Sequence, residues 1–167
     1  MNFKLNGIGT AVGVVFLSAI SVVGYWAVAS AEYVKVVDGD SLEIGGRRIR
    51  LLEIDAPEYK QYCFDSGHKK YDCGKESRRY LDDLLKKRAY KVQCKKLDAD
   101  RYDRELSECF AEDININLAM IEAGWAVTYR TNNPLYLEAE KQAKASKKGV
   151  WQGKFMRPEY YRRLHRR

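Results

Sequence analysis

The chain has 167 residues, of which 46% are hydrophobic and 32% charged, with 12 glycines and 3 prolines. This composition excludes a collagen-like, low-complexity or wholly disordered chain, and the length suits one domain with a short extension. The formal net charge of +7 favours polyanionic partners such as nucleic acid or an anionic membrane, and the presence of only 2 histidines argues against a histidine-rich zinc site or a histidine-based triad.

The N-terminal segment is apolar and carries no charge between Lys4 and Glu32. Its run from 8 to 31 is long enough to cross a bilayer as a helix, at about 1.5 Å per residue. Small residues at 29–31 fit a signal-peptidase site, whereas the length of the run and its terminal aromatic residues favour an uncleaved anchor. A buried core helix is a weaker alternative, because the run has no polar face. We predict that residues 1–31 are a signal peptide or membrane anchor, and that the remainder is periplasmic, secreted or anchored outside the cytoplasm.

The chain after this segment begins with a predicted three-stranded meander. Alternating and β-branched runs place the strands at 33–37, 41–44 and 48–54. Tight turns rich in aspartate and glycine separate them. The third strand stops before Pro57, which cannot donate a hydrogen bond to a ladder.

A polar loop, a helix and two further strands follow the meander. The loop at 59–72 contains His68, which we expect at the surface, and apolar spacing then predicts helices and strands. In chain order these are a helix at 74–88, strands at 89–95 and 105–112, and helices at 116–123 and 135–147. Three strands, a helix and two strands is the order of an OB-type barrel, although several small α+β folds share it. We therefore predict an α+β fold, a five-stranded OB-type β-barrel with about three α-helices, preceded by the N-terminal hydrophobic helix.

The predicted domain covers residues 32–153 and leaves a basic C-terminal tail at 154–167. This tail carries six Lys or Arg residues and one acid, Glu159. We expect the tail to be solvated and disordered. Two alternatives are additional salt-sensitive affinity for nucleic acid and contact with anionic lipid.

Four cysteines lie in the exported part, and none forms a C-x-x-C pair that would indicate a zinc site. An even number in an oxidising compartment predicts two disulfides, with four free thiols as the alternative. Cys94 and Cys109 fall on two runs joined by a polar turn, which would place them on neighbouring strands. The predicted pairs are therefore Cys94–Cys109 and Cys63–Cys73.

Carboxylate and guanidinium side chains recur at predicted strand ends and turns. Each alone has an ordinary explanation as a turn or solvated residue, but together they suit phosphodiester hydrolysis. The oxygens of Asp40 and Asp55 can hold a hard cation such as Ca²⁺. Arg50 and Arg104 fit phosphate oxygens and stay charged at any relevant pH. Glu58 can orient or deprotonate the attacking water.

Three blocks of this sequence resemble the thermonuclease family, also called staphylococcal nuclease-like. They are VVDGDSLEIGGRRIRLLEIDAPE, then DRYDREL, then the last predicted helix with the Gly-Val-Trp that follows it, so the likeness runs from about Tyr33 to Trp151. The resemblance implies a five-stranded OB barrel with three helices, and Ca²⁺-dependent hydrolysis of DNA and RNA that leaves 3′-phosphates. Carried over by motif, the matching residues are Asp40, Asp55 and the carbonyl of Ala56 for the metal, Arg50 and Arg104 for the phosphate, and Glu58 as the catalytic glutamate.

Other matches to the family are less direct. Asp103 stands where the family usually has glycine; aspartate tolerates positive φ better than most residues, but against a substrate phosphate its charge would weaken binding. Tyr129 resembles a family tyrosine that packs on the substrate base, with plain packing as the alternative. Arg101 is expected either to touch a neighbouring phosphate or to lie in a solvated turn.

The leading functional hypothesis is an exported, Ca²⁺-dependent nuclease acting as a monomer on DNA and RNA, with single-stranded or denatured substrate favoured and possible membrane association through residues 8–31. One alternative is a catalytically silent nucleic-acid-binding module of the cell envelope on the same barrel. Another is an envelope protein that uses the barrel for protein contacts, which would leave the carboxylate and arginine set unexplained.

Overall fold

The computed structural model describes residues 32–165. The strands in chain order are β1 Val34–Asp38, β2 Ser41–Ile44, β3 Arg47–Leu51, β4 Ile54–Asp55, β5 Cys63–Phe64, β6 Lys70–Tyr71, β7 Val92–Ala99, β8 Glu105–Ala111, β9 Ile114–Asn115 and β10 Val127–Thr128. The α-helices are α1 Cys73–Lys86, α2 Ile116–Glu122, α3 Pro134–Ala145 and α4 Pro158–Leu164, and a 3₁₀ turn covers Gly149–Gln152.

Five strands form one curled sheet in the spatial order β1–β2–β3–β8–β7, and the short β9 pairs with β8. Neighbouring strands are antiparallel except β3 and β8, which run parallel with Arg50 opposite Leu106. This half-barrel with its helices confirms the predicted OB-type α+β fold. The hydrophobic helix predicted before it, within residues 1–31, lies outside the described residues.

The third predicted strand, at 48–54, is interrupted in the structure. β3 ends at Leu51, and Glu53 adopts a φ of 63° in the turn that follows. The chain then resumes as β4, which pairs with β10, a strand the sequence did not predict. Buried Asn117 stabilises the break, because its amide donates to the carbonyls of Leu52 (3.0 Å) and Ser107 (3.1 Å). As a result, Asp55 stands on a separate short ladder.

The core lies between the sheet and the helices. α1 has the apolar face that the sequence predicts: Leu81 and Leu85 are fully buried, and lysine and arginine side chains cover the outer face. α2 buries Ile116, Met120 and Ile121 in the same cluster. Burying each such side chain contributes about 1.5–3 kcal/mol, so this cluster fixes α1 and α2 against the sheet.

Both predicted disulfides are present. Cys94 and Cys109 are directly opposite each other on β7 and β8. Cys63–Cys73 joins β5 to the first residue of α1 and closes the loop at 59–72, which contains the small β5–β6 hairpin. Disulfides persist in oxidising compartments, so the presence of these two disulfides indicates a location outside the cytoplasm.

Replacing Cys94 with alanine is expected to destabilise only oxidised protein. The disulfide spans 15 residues, for which loop-closure entropy gives about 3 kcal/mol and a fall in melting temperature of about 6–12 °C. Thermal melting of wild type and Cys94→Ala, each with and without reductant, measures this. An equally large difference between the two reduced proteins would show that the cysteine acts by packing and not as a disulfide.

Within residues 32–165, the helices are all too short or too polar to cross a bilayer. The predicted signal peptide or anchor falls on residues that are not described.

The C-terminal segment differs from the solvated tail that we expected. Gln61 donates to the carbonyl of Met156 (2.7 Å), and Arg157 donates to the carbonyl of Thr128 (2.9 Å). Pro158 is buried and begins α4, where its fixed φ suits a first helical position. The segment at 155–165 is therefore packed on the domain.

Candidate active site

Four of the predicted site residues form one cluster centred on the Arg50 side chain. Its two terminal nitrogens donate separately, one to Asp40 Oδ1 at 2.6 Å and the other to Asp55 Oδ1 at 2.7 Å. Glu58 joins the cluster through a guanidinium group that it shares with Asp55. Asp40 and Asp55 are almost wholly buried and Arg50 is only slightly exposed. Asp40, Asp55 and Arg50 are thus charged groups held largely out of water, whereas Glu58 is a third exposed.

Asp40 is placed by the turn between β1 and β2. Ser41 is opposite Arg50 in the β2–β3 register, which brings Asp40 near the Arg50 guanidinium. The other carboxylate oxygen of Asp40 accepts a hydrogen bond from the Ala56 backbone nitrogen at 2.8 Å. Asp40 therefore ties the first turn to the segment that follows β4.

Two glycines allow α1 to press against the site. A β-carbon at Gly39 would lie 1.9 Å from the Ser77 hydroxyl, and one at Gly74 would lie 1.8 Å from the carbonyl oxygen of Glu58. Both distances are far below van der Waals contact, so only glycine permits these approaches. α1 thereby fixes the backbone on both sides of the cluster.

Burial and charge shift the ionisation of the acids in different directions. Burial disfavours the charged form of Asp40, but Arg50 and the Ala56 amide outweigh it and hold the pKa of Asp40 below its usual value. Burial dominates at Asp55 and raises its pKa, despite its arginine neighbours. The two carboxylates that Arg50 joins thus have pKa values displaced in opposite directions.

The sequence analysis missed Asp38, which belongs to the same cluster. Its carboxylate accepts a hydrogen bond from the Asp40 backbone nitrogen at 3.2 Å. Burial, followed by the negative charge of Asp40, raises the pKa of Asp38 to about 8. The signal was available in the Asp-Gly-Asp turn, which we interpreted only as a turn before Asp40.

The analysis also missed Arg162, which α4 brings into the cluster. One terminal nitrogen donates to Asp55 Oδ1 at 2.7 Å and to Glu58 Oε1 at 2.8 Å, and the other donates to Asp55 Oδ2 at 3.1 Å. Although burial opposes it, hydrogen bonding and attraction to Asp55 and Glu58 raise the pKa of Arg162 above its usual value. The only indication in the sequence was the pair Arg162 and Arg163 after Pro158, which does not show where these side chains dock.

Arg104 is not brought into the cluster. Its hydrogen bonds within residues 32–165 go to Asp100, including one from Nε at 2.8 Å. Asp103 has a φ of 59° and is exposed, so aspartate stands at a left-handed position that favours glycine and that it tolerates. Arg101 is exposed, with its guanidinium 4.9 Å from the Tyr102 ring.

Tyr129 lies half-buried at the end of β10. Its backbone nitrogen donates to the Glu53 carbonyl at 2.8 Å, and the Arg130 guanidinium lies 4.9 Å from its ring. The contact that places Tyr129 is therefore with the turn after β3. His68 is exposed in the β5–β6 hairpin, as expected.

The carboxylate and carbonyl oxygens of the cluster are the type of ligand that a hard divalent cation prefers. Within residues 32–165, however, no group of three acidic, cysteine or histidine side chains is arranged to hold an ion. Arg50 and Arg162 hold the carboxylates instead. Three acids, Asp40, Asp55 and Glu58, face the two guanidinium groups, and Ca²⁺ prefers carboxylate and carbonyl oxygens. The excess negative charge and the oxygen donors both fit such a cation.

The chain is similar to several known proteins. Residues 48–153 match the family model described as Staphylococcal nuclease homologue. The chain is 41% identical over 118 residues to the succinoglycan biosynthesis protein ExoI of Rhizobium meliloti, covering 70% of this chain and 61% of that protein. It is 35% identical over 125 residues to an uncharacterized endonuclease of Haemophilus influenzae, covering 71% and 64%. It is 31% identical over 144 residues to a micrococcal nuclease of Shigella flexneri, covering 75% of each. The chain thus spans less than two thirds of the first two relatives.

Proposed function

The chain belongs to the staphylococcal nuclease family, and on that basis we propose that it is an exported, Ca²⁺-dependent nuclease. Its reaction is hydrolysis of DNA and RNA phosphodiester bonds, with single-stranded or denatured substrate favoured and 3′-phosphates as products. It acts as a monomer, secreted, periplasmic or anchored through residues 8–31. The observation that supports this most is the meeting of Asp40, Arg50, Asp55 and Glu58 in one cluster, which is open to solvent at Glu58.

The residues have distinct parts in the proposed reaction. Asp40, Asp55 and the carbonyl of Ala56 hold Ca²⁺, which supplies positive charge against the phosphate oxygens. Glu58 accepts a proton from the attacking water, and its side chain is a third exposed, so solvent reaches it. Arg50 is oriented by its hydrogen bonds to Asp40 and Asp55, and its remaining N–H donors suit the developing charge on the phosphate.

Arg104, Arg101 and Tyr129 are proposed to act outside the buried cluster. Arg104 is partly exposed and held by Asp100, from which it can turn to a phosphate. Arg101 is exposed beside Tyr102 and can reach a neighbouring phosphate, and Tyr129 offers a ring for base stacking. These contacts extend the substrate site along the surface.

Removal of Ca²⁺ is expected to abolish cleavage. We would incubate the purified chain with denatured DNA or RNA in about 1 mM Ca²⁺, the upper range for extracellular sites, or in excess chelator. Fragments should form only with Ca²⁺, and polymerase should extend them only after their 3′-phosphates are removed.

The same assay separates the enzyme from a silent binding module. Intact nucleic acid that still shifts on a gel at every Ca²⁺ concentration would contradict the nuclease proposal and favour the binding module. Cleavage that persists in chelator would contradict the Ca²⁺ requirement alone.

A further inference from the structure

Arg162 occupies the oxygens that a cation would need. Both carboxylate oxygens of Asp55 accept from its guanidinium, and Asp55 Oδ1 also accepts from Arg50. Ca²⁺ binds carboxylate oxygens at about 2.3–2.6 Å. A cation so close to Asp55 would be repelled by a guanidinium group bonded to the same oxygens. Arg50 bonds only one oxygen of Asp55, whereas Arg162 bonds both, so Arg162 and the cation compete for one position.

The attachment of α4 makes such an exchange physically reasonable. The chain before the helix is fixed by hydrogen bonds at Met156 and Arg157 and by burial of Pro158. The helix has only seven residues, and Leu164 near its end is 70% exposed. Short elements with few buried apolar contacts open at low cost in free energy.

Few contacts within α4 hold it in place. The Tyr161 hydroxyl donates to the Lys60 carbonyl at 3.2 Å, and Arg162 supplies the charged contacts to the cluster. The neighbouring Arg163 does not share these contacts: its guanidinium donates to Glu159 of the same helix at 2.6 Å. The docking of α4 against the cluster, which we call its closed position, thus depends strongly on the ion-paired side chain of Arg162.

We propose that α4 is a self-inhibitory latch, in which Arg162 must leave Asp55 and Glu58 before a divalent cation binds. The C-terminal helix then sets the cation affinity of the site, because the apparent dissociation constant rises as the open fraction falls. The latch rests on the proposed Ca²⁺ dependence and adds a control that keeps the site closed when the cation is scarce.

Calorimetry with Ca²⁺ tests the latch on the full chain. Arg162→Gln should bind Ca²⁺ about tenfold more tightly than wild type, as expected if nine in ten wild-type molecules are closed. Arg163→Gln is the matched control, since it removes the same charge from the neighbouring position without touching the cluster, and its affinity should change by less than about twofold.

Hydrogen exchange gives a readout that does not depend on catalysis. Added Ca²⁺ should speed exchange of the α4 amides in wild type and leave α3 unchanged. Equal affinities for Arg162→Gln and Arg163→Gln, or weaker binding by Arg162→Gln, would overturn the latch while leaving the Ca²⁺ site intact. Absence of Ca²⁺ binding in wild type and both variants would overturn the Ca²⁺ dependence and the latch together.

Discussion

Glu58→Gln is expected to lower the rate of phosphodiester cleavage by about 10²–10⁴-fold, the usual contribution of a positioned general base. Glutamine has nearly the same shape but cannot accept a proton from water at neutral pH. The side chain is partly exposed and its hydrogen bond to Arg162 can be kept by the amide oxygen, so the fold should survive. Cleavage rates at saturating Ca²⁺, together with thermal melting, measure both expectations.

A matched control for this change is Glu138→Gln. Glu138 is exposed on α3, where it contacts Lys141 and Gln142, away from the cluster. Its cleavage rate should stay within about twofold of wild type, as for most surface substitutions. Equal rates for Glu58→Gln and wild type would remove Glu58 from the proposed mechanism.

The parts of the site encoded by local sequence were predictable. Asp40 follows a tight turn, and the β2–β3 hairpin register alone places Arg50 near Asp40. Such contacts depend on neighbours within about 15 residues, where turn and strand patterns carry the information. The same holds for Cys94 and Cys109, which a short hairpin brings together.

Contacts across long stretches of chain were not predictable in the same way. Arg162 reaches Asp55 over 107 positions, and no periodic pattern in a seven-residue helix indicates where that helix will dock. The break after β3 also depends on distant groups, because Asn117 and β10 stabilise it. Whether a segment forms a helix or a strand depends largely on the pattern of its own residues. Where α4 docks and where β3 breaks depend instead on tertiary packing.

The sequence also grouped Arg104 with the cluster, whereas the structure pairs it with Asp100 in its own turn. Asp100 is a strong local acceptor, because its carboxylate also accepts hydrogen bonds from the backbone nitrogens of Tyr102 and Arg104. A motif gives the residue type that a phosphate needs, but the preferred partner in the absence of substrate depends on the nearest fixed charge.

Arg50→Ala is expected to reduce both stability and activity strongly. Arg50 is the bridge between two buried carboxylates, and removing one partner of a buried ion pair costs about 3–5 kcal/mol. Asp40 and Asp55 would then repel each other with less compensation, so the melting temperature should fall in Ca²⁺-free buffer. Loss of the proposed Arg50 contact with the phosphate should lower turnover by about 10²–10³-fold.

Added Ca²⁺ distinguishes an electrostatic cause from a packing defect in Arg50→Ala. A divalent cation between Asp40 and Asp55 replaces the missing positive charge, so Ca²⁺ should raise the melting temperature of Arg50→Ala more than that of wild type, without restoring turnover. Arg47→Ala on the same strand is the control, since its side chain is 45% exposed and its ion pairs within residues 32–165 are with Glu32 and Glu105, outside the buried cluster. If Arg50→Ala melts like Arg47→Ala in Ca²⁺-free buffer, the two carboxylates do not rely on Arg50, and the buried cluster is not the charged centre that the proposed nuclease requires.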